Sequence, residues 1–199
     1  MARPVLASFL TSRHFVALAL ACLLAACGSG TKKADPTAKA VPLICTGDLS
    51  RAPSELQSAY PPLRHHIEAG PLYQTLKQRL GPPRSCARSV QGRALRLAYE
   101  FPRNGALVAQ IDPRIEFSEQ RVKLQGLEEV EAKSLLQAAE TNAFGATGCG
   151  INWERPVTEE PGTFGGSSEV VYRGDACSCQ ARVVYEDEKV IGLVLRSAC

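Results

Sequence analysis

CSCQARVVYEDEKVIGLVLRSAC, residues 177–199, is the stretch on which the fold turns. Cys177, Cys179, Ala181, Val183 and Tyr185 recur at every second position, and so do Ile191, Leu193, Leu195, Ser197 and Cys199. Residues two apart on a strand share a face, so each run reads as a half-buried strand. The polar residues Asp187 to Lys189 make the turn between them. Pairing Tyr185 with Ile191 aligns the two apolar faces. The same register sets Cys177 opposite Cys199, within reach of a cross-strand disulfide where local geometry allows.

Upstream, Glu169 to Tyr172 reads as another strand and Ile151 to Trp153 as a short one. Between them runs a Gly/Pro-rich loop, Pro156 to Ser168, with Phe164, Gly165 and Gly166 near its centre. Loops longer than about 12 residues are often functional, so these three are candidate partner contacts; a disordered insertion is the equal alternative. Glu128 to Asn142 is rich in helix formers, with acidic residues in its first turn where the helix dipole favours them. Leu135, Leu136 and Ala139 give that helix a core side.

Further back, Leu95, Leu97, Tyr99 and Phe101 alternate with Arg96, Ala98 and Glu100, another half-buried strand. Asn104-Gly105 favours a tight reversal, and Leu107 to Ile111 returns as the partner. Ile115 and Phe117, then Val122 and Leu124, suggest a second hairpin around Ser118 to Arg121. Leu72, Leu76 and Leu80 mark a helix that starts at Pro71 and stops at Gly81-Pro82-Pro83, followed by a loop containing Cys86. Ser54 to Tyr60 suits a short helix capped by Ser54 and interrupted by Pro61-Pro62; Leu63 and Ile67 extend it by a turn or two to Gly70. The order is helix then antiparallel strands, twice. The expected fold is α+β: helices packed on antiparallel β-sheet, disulfide-braced, in two tandem helix-plus-three-strand units, residues 42–126 and 127–199. No residue-level identity links the halves.

The N-terminus has a different character. Residues 1–26 hold Arg3 and Arg13 and no acidic residue, followed by the apolar run FVALALACLLAA, residues 15–26. That run is too short to span a bilayer, which needs about 20 apolar residues, and it matches a cleaved export signal. Residues 27–41 lack apolar periodicity and read as a tether spanning about 20 Å as coil. Two of the 23 basic residues and none of the 20 acidic ones lie in the signal, so the remainder is nearly neutral. Nucleic-acid binders carry a basic footprint; here Lys32-Lys33 is the one basic run, so nucleic acid is not expected as a partner.

Cys22 leaves with the signal. Beyond Cys27, Cys45, Cys86, Cys149, Cys177, Cys179 and Cys199 remain. Six cysteines in an oxidising compartment imply three disulfides among fifteen connectivities. Zinc is the competing reading, but Cys177-Ser178-Cys179 lacks the C-x-x-C spacing of a structural zinc site. With Cys177 facing Cys199, Cys179 pairs with Cys149, and Cys45 is left with Cys86.

Leu24-Ala25-Ala26-Cys27 resembles the lipobox of bacterial lipoprotein precursors. The resemblance implies diacylglycerol on the Cys27 thiol and cleavage before it. Gly28, where an aspartate would resemble an inner-membrane retention signal, implies the outer membrane, facing the periplasm. LKQRLGP, residues 76–82, with the alternating run 95–101, is similar to the small lipoproteins of the BamE/SmpA group. ARVVYEDEKVIGLVL, residues 181–195, is similar to the closing hairpin of that fold and of the β-lactamase-inhibitor-protein fold. Both resemblances imply helix-plus-sheet units; this chain is longer and richer in cysteine than the first group.

Catalytic motifs are scarce. His65 and His66 are neighbours and point about 100° apart on a helix, a poor shared metal site. There is no Gly-x-Ser-x-Gly elbow, Walker loop or His-Glu-x-x-His. Gly148-Cys149-Gly150 suits a disulfide cysteine in a turn better than a reactive thiol. Glu128, Glu129 and Glu131 suit a helix start, Glu186 to Glu188 a solvated hairpin tip, and Trp153 a core or edge position. The sequence therefore leads to no catalytic residue, no metal and no cofactor. The expected function is a non-catalytic module binding another envelope protein, in outer-membrane assembly or enzyme inhibition. The alternative is a periplasmic enzyme or small-ligand carrier with a pocket between helix and sheet.

Overall fold

A computed structural model describes residues 43–112, 117–144, 149–159, 167–175 and 178–197. Residues from Val41 to Cys199 form one compact unit. Its elements are α1 (Ser54–Ala69), α2 (Pro71–Leu80), β1 (Ser85–Gln91), β2 (Ala94–Glu100), β3 (Ala106–Asp112), β4 (Phe117–Leu127), α3 (Glu129–Phe144), β5 (Val157–Glu159), β6 (Ser168–Arg173), β7 (Gln180–Glu186) and β8 (Lys189–Ser197). The fold is α+β, with three helices and one antiparallel sheet among the described residues, in the order β1-β2-β3-β4-β8-β7-β6-β5.

The hairpin that opened the reading is formed. Val183 faces Leu193 and Ala181 faces Leu195, as the aligned apolar faces require. At the tip the register slips by one: Tyr185 faces Val190, and Asp187 and Glu188, both at positive φ, make a two-residue turn. A primed turn of that kind matches the strand twist. The bulge that compensates for it buries Val190 in place of Ile191.

Several other elements differ from the sequence reading. α1 is one helix running through Pro61 and Pro62, entered from Pro53 with no side-chain cap from Ser54. Leu56, Leu63 and Ile67, all buried, hold both ends of it against the core, and that packing outweighs the two lost backbone hydrogen bonds. Cys86 lies on strand β1 rather than in a loop, paired with Tyr99. Ser118 to Arg121 is not a turn: these residues lie within β4, flanked by β3 on one side and β8 on the other. The tight turn after β2 is centred on Arg103 and Asn104, both at positive φ, one residue before the expected Asn104-Gly105. Part of the expected loop, Val157–Glu159, is edge strand β5, whereas Ile151 makes only an isolated bridge to Gly174 and Trp153 sits in a turn. α2 and α3 fall close to their expected spans, with Pro71 opening α2 and Gly81, at φ 94°, closing it.

Each set of strands numbers four rather than three, and the two sets share a single sheet through β4 and β8. The expected boundary at 126/127 falls at the end of β4. α1 packs on β2, α2 on β3, and α3 on β7 and β8. All three cover the face that presents Leu97, Leu107, Val122, Leu193 and Val183, every one buried. Gly192 sits where β4 and β8 meet; a Cβ there would come within 2.9 Å of the Val122 carbonyl oxygen.

Candidate binding surface

Among the described residues two disulfides brace this body. Cys45 bonds Cys86, and Cys149 bonds Cys179; these are two of the three pairings reached from the strand register. The third pair, Cys177 and Cys199, lies outside the described residues, as do Cys27, Phe164, Gly165 and Gly166. The Cys45–Cys86 bond straps the entering chain along β1. Thr46 donates its backbone N–H to the Cys86 carbonyl at 2.8 Å, and the Arg88 N–H donates to the Thr46 carbonyl at 2.8 Å. This covers part of an edge strand that would otherwise present unpaired backbone groups.

The Cys149–Cys179 bond ties the segment after α3 to the start of β7, and the buried carboxylate of Glu140 reinforces it. One Glu140 oxygen accepts the backbone N–H groups of Cys149 at 3.0 Å and Ile151 at 3.3 Å; the other accepts the Trp153 indole N–H at 2.9 Å. Trp153 packs on the core beside Tyr172. A buried carboxylate needs such partners, so this one is structural. A similar knot joins α1 to β2: Arg64 pairs with Glu68 at 2.7 Å, and the buried Tyr99 hydroxyl donates to Glu68 at 3.2 Å. Burial, and then the Glu68 charge, pushes the Tyr99 pKa well above the usual phenol range.

The space between helices and sheet is filled by Leu72, Leu76, Leu97, Leu107, Leu136 and their neighbours. Several cavities open elsewhere, two of which bring acidic residues together. A cleft of about 650 Å³ lies where the β4 bulge and the start of α3 meet the β7–β8 tip. Glu128, Glu129, Glu186, Asp187 and Glu188 line it, with Tyr185 and Lys189. The Tyr185 hydroxyl oxygen is shut off from solvent with no hydrogen bond of good geometry among the described residues. Burial, then the Glu129 carboxylate, pushes its pKa up to about 12. Of the acidic residues singled out in the sequence, Glu131 lies away from this cleft, paired with Arg79. His65 and His66 are exposed on α1. Among the described residues no three His, Cys, Asp or Glu side chains are placed to hold a metal.

The second cavity, about 210 Å³, lies on the sheet face away from the helices, lined by Glu119, Arg121, Glu169, Arg182, Val194 and Arg196. Arg182 meets Glu169 at 2.8 Å, and Glu119, itself 8 % exposed, accepts from Arg121 and lies 4.0 Å from Arg196. The Arg121 and Arg196 side chains remain 64 % and 49 % exposed. The chain matches no protein-family model, no curated protein and no solved structure. None of the six residues lining this surface stands out in the sequence, because they come from four strands and meet only through the sheet register. The alternation of Arg96, Ala98 and Glu100 with Leu95 to Phe101 is the legible sign of a second, mixed face.

Proposed function

We propose that this chain is a lipid-anchored, non-catalytic protein-binding module of a bacterial cell envelope. Residues 1–26 direct export, Cys27 carries diacylglycerol, and residues 27–41 tether the body to the outer membrane on its periplasmic side. The observation that carries the binding role is a sheet of eight strands among the described residues, packed by helices on one face only, whose other face presents charged side chains and the half-exposed Val108 and Val194, with Val171 buried beside Arg182. The filled helix–sheet interface favours a surface over an internal ligand pocket. The lipobox resemblance, and the likeness to the BamE/SmpA and β-lactamase-inhibitor-protein folds, belong to the same proposal. So does the tandem reading, in which α1–α2–β1–β4 and α3–β5–β8 repeat the order helix then antiparallel strands.

Two measurements test it. Replacing Cys27 with Ala should move the protein from the membrane pellet to the soluble periplasmic fraction; an unchanged membrane fraction refutes the anchor. Crosslinking of intact envelopes, followed by purification of the lipoprotein, should recover a defined envelope protein in stoichiometric amount. Failure to recover one across matched controls refutes the binding role.

A further inference from the structure

We propose that the corner of the sheet at which the chain enters the body rests on an anionic phospholipid surface, with Arg84, Arg103 and Lys123 among the headgroups and Ile44 against the interface. This rests on the lipid-anchored part of the reading above and assigns the side of the body that meets the membrane.

Backbone pairing fixes the entry point. The Leu43 carbonyl accepts from the Arg64 guanidinium at 2.6 Å, Cys45 is bonded to Cys86, and Thr46 bridges Ala87 in parallel. One residue back along that pairing, Ile44 stands level with Ser85 at the start of β1, and it is 77 % exposed. The antiparallel register sets Ser85 beside Glu100 at the end of β2. The Arg103–Asn104 turn follows, and Lys123 lies beside Ala106 at the start of β3. The chain therefore enters at the same end of the sheet as that turn. Residues 27–41 span about 20 Å as coil. Eight strands side by side are wider, roughly 34 Å, so the entry corner lies nearest the anchor.

Charge at this end of the sheet is divided. Arg84, Arg103 and Lys123 are exposed and form no ion pair among the described residues. Against them stands Glu100, which accepts the Ser85 hydroxyl at 2.9 Å. Three cations against one carboxylate leave the entry corner with two positive charges. A depression of about 180 Å³ is lined there by Arg103, Asn104, Lys123 and Gln125 with Leu80 and Leu124, and by no carboxylate. Its four polar residue types all donate hydrogen bonds, as phosphate oxygens require. The acidic residues Glu186, Asp187 and Glu188 stand at the β7–β8 tip, three strand spacings or about 14 Å away. That exceeds the Debye length of about 8 Å at physiological ionic strength. Val130 is as exposed as Ile44, but Glu129 and Glu131 flank it, and an anionic surface repels that site.

The test places the full mature lipoprotein in nanodiscs carrying a headgroup nitroxide lipid and follows isoleucine-methyl and backbone NMR signals. In discs of phosphatidylglycerol and phosphatidylcholine in equal parts, the Ile44 methyl and Gly105 amide signals should broaden. The Ile191 methyl, in the acidic cleft, should stay sharp. In discs of phosphatidylcholine alone, or at high salt, the Ile44 and Gly105 broadening should fall away. Arg84→Gln, Arg103→Asn and Lys123→Gln should each lower the ratio of docked to undocked body about fivefold, with the thermal midpoint unchanged. Asn suits the positive φ at position 103. Ile44→Ser should lower the same ratio several-fold. Equal broadening in both kinds of disc shows proximity through the tether alone and overturns the inference. So do Ile191 broadening as strong as that of Ile44, and variants without effect. A protein crosslinked at this corner while Ile44 stays sharp in anionic discs also overturns it, in favour of a protein contact. If Cys27→Ala releases the protein from membranes yet Ile44 ignores phosphatidylglycerol, this inference alone fails and the lipid-anchored reading stands.

Discussion

Two side chains show what a single residue does here. Glu140 closes the segment after α3 by accepting three N–H groups, and its own exposure is 7 %. Glu140→Ala leaves those donors without partners, at about 1–3 kcal/mol for each buried group left unpaired. A loss of about 3 kcal/mol or more is expected in urea unfolding. In the sequence Glu140 reads only as a helix former, because its partners lie 9 to 13 residues on and meet it only once the chain folds back. Tyr185 is the opposite case, a hydroxyl shut in beside the Glu129 carboxylate with no hydrogen bond of good geometry among the described residues. Tyr185→Phe should cost nothing, or stabilise by up to about 1 kcal/mol. Its pKa rises from 10.0 to about 12 in the folded chain, so folding favours the protonated phenol. The stability linked to it is fully present below pH 10 and disappears as pH climbs through 12. Part of the alkaline loss of stability should therefore vanish in the Phe variant, as followed by circular dichroism between pH 9 and 12.

At the scale of elements, local signals located most pieces and tertiary packing set their limits. The Pro71 start and Gly81 stop of α2 are local chemistry, and both are formed. Pro61-Pro62 is an equally strong local signal, yet α1 continues through it, because Leu63 and Ile67 beyond the prolines are buried in the same core as Leu56 before them. The prolines themselves face solvent. Exchanging both for Ala should restore N–H groups for the carbonyls of Gln57 and Ser58 and stabilise the protein by roughly 4 kcal/mol, since each interior helix proline costs about 3 kcal/mol and unfolded-chain entropy offsets about 0.4–1 kcal/mol of each gain. A lower thermal midpoint in that variant would show that the prolines are needed for the docking of α1. β4 departs from its local signal for the converse reason. Ser118 to Arg121 is polar and turn-like in isolation, but strands on both sides supply the backbone hydrogen bonds that keep it extended.

The whole molecule is held together at the β4–β8 seam. Val122 faces Leu193 and Gln120 faces Leu195 there, and α3 packs over the adjoining strands. Neither half buries its own edge without the other. Calorimetry should show one cooperative unfolding transition, and residues 43–127 expressed alone should not give dispersed amide NMR signals; two separate transitions would instead mark two independent units. Periodicity and turn chemistry, which a local window contains, carry the α+β class, the alternating strands and the closing hairpin with its apolar faces. The pairs Cys149–Cys179 and Cys45–Cys86, 30 and 41 residues apart, were reachable only by elimination once Cys177 was set opposite Cys199. Long-range packing alone brings the two sets of strands into one sheet, carries α1 through its prolines, and gathers Arg121, Arg182 and Arg196 around Val194. Those outcomes depend on which strand lies beside which, and strand adjacency across scores of residues is set by burial of a common core.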